Sequence, residues 1–167
     1  MTTPSQAVIV RPATSADLAA VVELCLLVER QHETYWPLRW QLKADIRPRY
    51  ERWLGANVNA SGWLIAVAEL AHEPGAVIGS LVAGLLDDIP IYADVRYAFI
   101  HDMAVADAAR RQGVGRELVR YAAAWARSQG VRQLRLMAAE PNAPAVRLFQ
   151  SVGFRTTYHE MVLPLSP

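Results

Sequence analysis

Apolar positions recur along this chain at two spacings, and each spacing predicts an element. Leu18, Val21, Val22, Cys25 and Val28 fall on one face of a 3.6-residue helix. Ser15 stands where a side chain can cap that helix, with Asp17 in its first turn. A weakly alternating run, Ala7 to Arg11, comes before it as a first strand. Between Glu29 and Gln41 the pattern breaks around Pro37, which predicts a helix end and a loop. Arg47 to Val58 reads as a second helix with Trp53 and Leu54 turned inward. Trp63 to Leu70 and Val77 to Leu86 read as strands, joined by the turn His72 to Gly75.

An acidic loop, Asp87 to Asp94, leads into a long strand from Val95 to Val105. Val114, Leu118, Tyr121, Ala122 and Trp125 mark one face of the next helix, which Gly130 ends. Val131 to Ala138 is expected to be a strand buried on both faces. Asn142 caps a short helix, and Phe154 to Leu163 is expected as a closing strand. The strand–helix–strand unit over 97–138 implies a parallel pair with a right-handed crossover. The earlier strands imply antiparallel pairing, so the sheet is mixed. No repeat, linker or low-complexity segment divides the chain, and one domain over 1–167 is expected.

Composition narrows the function classes. With 53% apolar and 20% charged residues the chain reads as globular. A net charge of +1 gives no bulk field that calls for nucleic acid or an anionic membrane. No apolar run reaches the roughly 18 residues of a membrane span. No basic-then-apolar leader stands at the N-terminus, so a cytoplasmic location is expected. Cys25 is the single cysteine and sits among Leu24, Leu26 and Leu27, which predicts a buried, inert thiol. No His, Cys, Asp and Glu cluster has metal spacing, and no metal is expected. No Ser/His/Asp or Cys/His arrangement can be defended either.

The chemistry concentrates at residues 110–115, Arg-Arg-Gln-Gly-Val-Gly, between the long strand and the helix after it. The first N–H groups of a helix lack partners inside it, and the peptide dipoles put positive charge there. Phosphate fits both. Gly113 and Gly115 carry no Cβ, so either a ligand or a packed neighbour can approach closely. Arg110, Arg111 and Arg116 add charge. The run is not a P-loop, which needs Gly-Lys-Ser/Thr, and it lacks the third glycine of the dinucleotide fingerprint.

Residues 97–121, YAFIHDMAVADAARRQGVGRELVRY, closely resemble the central motif of the GNAT superfamily of N-acetyltransferases. A second signature follows in the right order: Asn142, Ala145, Leu148, then Val152-Gly153-Phe154. The resemblance implies an α/β (α+β) fold: a mixed, mostly antiparallel sheet of about six to seven strands with one parallel pair, flanked by about four helices. It implies acetyl-CoA as co-substrate, held by Met103, Ala104 and Val105 at the strand end. The turn Arg110, Arg111, Gln112, Gly113, Val114, Gly115 and Arg116 would take the pyrophosphate. Asn142, Ala145, Leu148 and Phe149 would complete the cofactor site.

Acetyl transfer to an amine needs a group that takes the ammonium proton, and histidine suits neutral pH unperturbed. His101 is the first candidate. A regular strand would put His101, Met103 and Val105 on one face and the second candidate, Asp102, on the other; a bulge would reverse this. Where the family places a tyrosine acid, this chain has Phe149; Tyr158 and Tyr35 are substitutes to test. His32, Glu33, Tyr35 and Trp36 are candidates for the acceptor site, with Asp87, Asp88 and Asp94 beside them. The expected acceptor is a primary amine of a small molecule or peptide, and the expected assembly includes a homodimer. The alternatives are a non-catalytic acyl-CoA-binding module and an unrelated nucleotide binder.

Overall fold

Helices cover both faces of the sheet, and the strands record this in their burial. In the computed structural model, which describes residues 7–165, every residue of β2 (Trp63–Leu70) after the first is buried. Leu64, Ala66 and Ala68 point to one face, Ile65 and Val67 to the other. The sheet has five strands in the order β1-β2-β3-β4-β5. They are β1 (Val8–Pro12), β2, β3 (Gly79–Asp87), β4 (Arg96–Val105) and β5 (Leu134–Leu136). The first four pair antiparallel, and β4 pairs parallel with β5.

One face is covered by α1 (Leu18–Tyr35) and α3 (Ile46–Asn57), with the single turn α2 (Pro37–Trp40) between them. Its core joins Val21, Val22, Cys25, Leu26 and Leu54 to Ile65, Val67 and Val82. The opposite face is covered by α4 (Val114–Ser128), whose Val114, Leu118 and Ala122 meet Leu81, Ala83 and Ile100. Leu118 has no exposed surface, and burying such a side chain stabilises by about 1.5–3 kcal/mol. α5 (Ala143–Ser151) closes the described elements. Among the described residues no helix is long and apolar enough to cross a membrane.

The start of α1 rests on a capping box. Thr14 donates from its N–H and its hydroxyl to Asp17 Oδ2, at 2.7 and 2.9 Å. Arg11 on β1 then bridges Asp17, at 2.8 Å, and Glu69 on β2, at 3.2 Å. Its guanidinium holds the Asp17 carboxyl well below the usual carboxylate range. The cap is therefore Thr14, one residue before the expected Ser15.

Three expectations need correction. The segment expected to leave the helix after Glu29 stays helical to Tyr35, because Pro37 lies outside it as the first residue of α2. The strand expected over 131–138 shrinks to Leu134–Leu136 and is half-buried on both faces. The closing strand over 154–163 does not form, so the sheet has five strands and not six or seven. A strand forms where a neighbouring edge satisfies its N–H and C=O groups, and three-residue β5 supplies too short an edge. Tyr158, Met161 and Leu163 remain exposed, and an ion pair between Arg39 and Glu160 at 3.0 Å ties that segment to α2.

Candidate active site

β4 carries one residue more than β3 can match. Val82 pairs with Asp102 and Ala83 with Ile100, so His101 is bulged out of the ladder. The bulge reverses the alternation on which the regular-strand expectation rests. Before it, Ala98 N–H donates to Gln133 C=O at 3.0 Å, toward β5. After it, Ala106 N–H donates to Ile78 C=O at 2.9 Å, on the side of β3. By alternation, Met103 and Val105 aim their N–H and C=O groups at the β5 side. Pairing with β5 stops at Ile100, opposite Leu136, so that edge runs unpaired toward α4.

The side chains change faces too. Met103 and Val105 pair with Leu81 and Gly79 and join the α4 core. Asp102 pairs with Val82 and faces α1 and α3. His101 lies 5.0 Å from the Phe99 ring and 5.2 Å from Trp63, and with Asp102 it lines one cavity. The expected separation of His101 and Asp102 onto opposite faces is thus overturned. Met103 and Val105 are the residues that point the other way.

That cavity, about 810 Å³, is also lined by Ile46, Tyr50, Trp53 and Trp63. At its floor Asp102 meets two groups that sequence reasoning missed. The Tyr50 hydroxyl stands 3.3 Å from Asp102 Oδ1 and 3.2 Å from Glu29 Oε1. Burial, then the nearby Glu29 charge, push the Asp102 carboxyl up to about 6. Glu29 moves down, chiefly through the neighbouring His32, whose Nδ1 lies 3.9 Å away. Burial beside these carboxylates raises the Tyr50 hydroxyl. Loss of solvent lowers His101, whose ring still opens to the cavity, so it is neutral near neutral pH. Glu29 precedes His32 and Glu33 by about one helical turn, a spacing that could have marked it.

α4 begins as its sequence requires. Gly113 adopts φ +88° as the N-cap, and Arg111 has φ +63°. The ladder opens with Glu117 N–H donating to Gly113 C=O at 3.1 Å. The amides of Val114, Gly115 and Arg116 therefore lack a carbonyl partner in the helix. A Cβ on Gly113 would meet nothing within 4 Å, so the space beside Gly113 at the mouth of α4 is open. Gly115 differs: a Cβ there would lie 2.7 Å from Leu148 Cδ2 and 3.7 Å from Met103 Cε. Its missing side chain seats α5 on α4, the packing role left open beside ligand approach.

The other turn residues divide. Arg110 pairs with Asp107 at 2.8 Å, and the Gln112 amide donates to Ala108 C=O at 2.9 Å. Arg111 and Arg116 are exposed, and Val114 buries its side chain, leaving only its backbone to a ligand. Asn142 caps α5 by accepting from Ala145 N–H at 3.3 Å. Phe149 is buried against Phe154, ring centroids 5.7 Å apart. No proton can come from Phe149, and Tyr158 is exposed.

The acceptor candidates from α1 and α2 lie outside the aromatic cavity. Glu33 accepts from Leu42 N–H at 3.0 Å, the Tyr35 hydroxyl accepts from Gln31 at 2.6 Å, and Trp36 joins α1 to α2. Of these four, only His32 reaches the cavity's chemistry, through Glu29. The acidic loop is already occupied: Asp87 binds Arg96 at 2.7 Å and Asp88 binds Arg135 at 2.7 Å, while Asp94 lies 3.5 Å from Arg132. Cys25 is buried as expected, and that burial raises its thiol. Among the described residues no group of three or more His, Cys, Asp or Glu is placed to hold a metal.

Residues 24–154 match the Acetyltransferase (GNAT) family. A streptothricin acetyltransferase from Streptomyces lavendulae is 35% identical over 80 residues, covering 44% of this chain and 42% of that protein. A thialysine N-epsilon-acetyltransferase from Mus musculus is 34% identical over 89 residues, covering 52% of each. The chain thus spans about half or less of these relatives' lengths. An aminoglycoside N-acetyltransferase solved in complex with CoA has a TM-score of 0.73 at 16% identity, covering 99% of both chains, which shows a shared fold.

Proposed function

The chain belongs to the GNAT acetyltransferase family, and on that premise we propose that it moves the acetyl group of acetyl-CoA directly to a primary amine. In this reading it acts as a single domain in the cytoplasm, on a small molecule or a peptide. The observation that carries it is the bulge at His101. One irregularity opens a backbone edge at Met103 and Val105 and places an ionisable carboxyl on the other face of the same strand. The CoA complex of the structural relative supports the same use of the fold.

The residues divide the work. The amides of Val114, Gly115 and Arg116 hold the diphosphate at the positive end of α4, under the open space over Gly113. Met103 and Val105 offer unpaired N–H and C=O groups to the amides of the pantetheine arm. A backbone N–H of this edge on the bulge side of Val105 supports negative charge developing on the thioester oxygen. Asp102, or His101 beside it, takes the proton from the ammonium, and the free amine attacks the carbonyl carbon. The C–S bond breaks and the acetyl group stays on nitrogen; the second proton that this nitrogen loses passes through water to the leaving thiolate, giving a neutral amide and the free thiol of CoA. A free thiol has a pKa near 8.5, so this exit can proceed without a side-chain acid in place of Phe149.

Asp102 is the better base of the two. It lies deeper, and its pKa near 6 stands close to neutral pH. Thiol release from acetyl-CoA over a panel of primary amines tests the proposal: amine-dependent release supports it. Phe149 favours a second reading, a CoA-binding module without chemistry. That reading predicts CoA binding with no release for any amine.

A further inference from the structure

α3 presents two stripes. Leu54 is its buried residue, while Arg49, Arg52, Trp53 and Ala56 line the cavity at i, i+3, i+4 and i+7 spacing. Trp53 meets Trp63 edge-on, ring centroids 4.7 Å apart, and Trp63 continues to His101. Gly84 seats that wall: a Cβ there would fall 2.6 Å from Trp63 Cζ3. The result is a slot of flat apolar surfaces, suited to a ring-sized body.

Charge is graded along the depth of the slot. Asp102 lies at the floor, and Arg49 and Arg52 are exposed at the rim. Arg47 and Arg49 are engaged by Glu23 and Asp45, at 2.6 and 2.9 Å. Arg52 is the arginine of α3 with no such ion pair among the described residues. A ligand that ends in a second cation would meet Arg49 and Arg52 as like charges, whereas an anion would be attracted.

We propose that the preferred acceptor is a primary amine with a flat apolar body and an anionic group at its far end. The amine meets Asp102, the body lies against the wall formed by Trp53, Trp63 and His101, and the anion reaches Arg52. This rests on the acetyl-transfer reading and names its substrate class.

Three probes of one shape test it: para-(aminomethyl)benzoate, benzylamine and para-xylylenediamine, anionic, neutral and cationic at the far end. Acetylation should favour the benzoate over benzylamine by about tenfold in kcat/KM, with the diamine poorest. Arg52→Gln should shrink that ratio toward unity, and Arg52→Lys should restore most of it. Equal rates for benzoate and benzylamine, or a preference for the diamine, would overturn the proposal. Binding is read separately by fluorescence of the cavity tryptophans. Benzoate-selective quenching that Arg52→Gln abolishes, without thiol release, would uphold the ligand class and defeat the transferase reading. Quenching indifferent to Arg52 would defeat the ligand class.

Discussion

Tyr50 on α3 holds its hydroxyl 3.3 Å from Asp102 Oδ1 on β4, and the same oxygen lies 3.2 Å from Glu29 on α1. One hydroxyl hydrogen cannot serve two carboxylates at once. Burial and the Glu29 charge raise Asp102, while His32 beside Glu29 holds that carboxyl down. The Tyr50 hydrogen bond lowers Asp102 against its burial. Tyr50→Phe removes that contribution, so Asp102 should rise further. A base acts only when deprotonated, so the ascending limb of kcat/KM should move to higher pH. A pH–rate profile at limiting amine checks this, and an unmoved limb would separate Tyr50 from the base.

Asp102→Asn should trade activity for stability. Its folded pKa, about 6, stands above the ordinary 3.8, so the folded state binds a proton that the unfolded state releases in between. Stability therefore falls as pH rises through that window, and the cost is fully present above it. The neutral amide escapes this cost. The variant should gain on the order of 2 kcal/mol at neutral pH and almost nothing below the ordinary carboxyl pKa. Acetylation should drop about a hundredfold at neutral pH. Urea unfolding at the two pH values, with the rate assay, checks both; equal stability changes at both would contradict the assignment.

Periodicity and punctuation were enough to read most of the scaffold. α4 begins after Gly113 and ends before Gly130, as those glycines indicate, and β2 matches its apolar run. Long-range pairing was not legible. The bulge at His101 exists because β4 and β3 fall out of step, which no local pattern records. The loss of the strand after Phe154 follows from the shortness of β5, a property of another segment. Asp87 and Asp88 look available in sequence until Arg96 and Arg135 are folded against them. Glu29 and Tyr50 were missed because their meaning comes from meeting Asp102 across 73 and 52 residues, the latter separation being that of the Tyr50–Asp102 contact.

Gly113 and Gly115 should separate in mutation. Asn tolerates the left-handed region that Gly113 occupies, so Gly113→Asn should cost about 1 kcal/mol or less. Its side chain enters the open space beside Gly113 at the mouth of α4, and CoA affinity should fall about tenfold. Calorimetric titration and thermal unfolding on the same sample check this. Unchanged affinity would count against the α4 amides as the diphosphate site.

Gly115→Ala should act through packing. The new methyl would press on Leu148 at 2.7 Å and should destabilise the fold by about 1–3 kcal/mol. Leu148→Ala in the same chain should recover part of the loss, because the clash partner is gone. A double-mutant cycle on unfolding free energies checks the coupling. Additive losses would show that Gly115 serves something other than α5.

The most direct measurement is a crystal structure of the protein with CoA bound. The diphosphate should lie on the amides of residues 114–116 and the pantetheine arm along Met103 and Val105, its thiol end near the bulge at His101. CoA bound elsewhere, or the β4 edge beyond Ile100 closed by another strand of the chain, would contradict it.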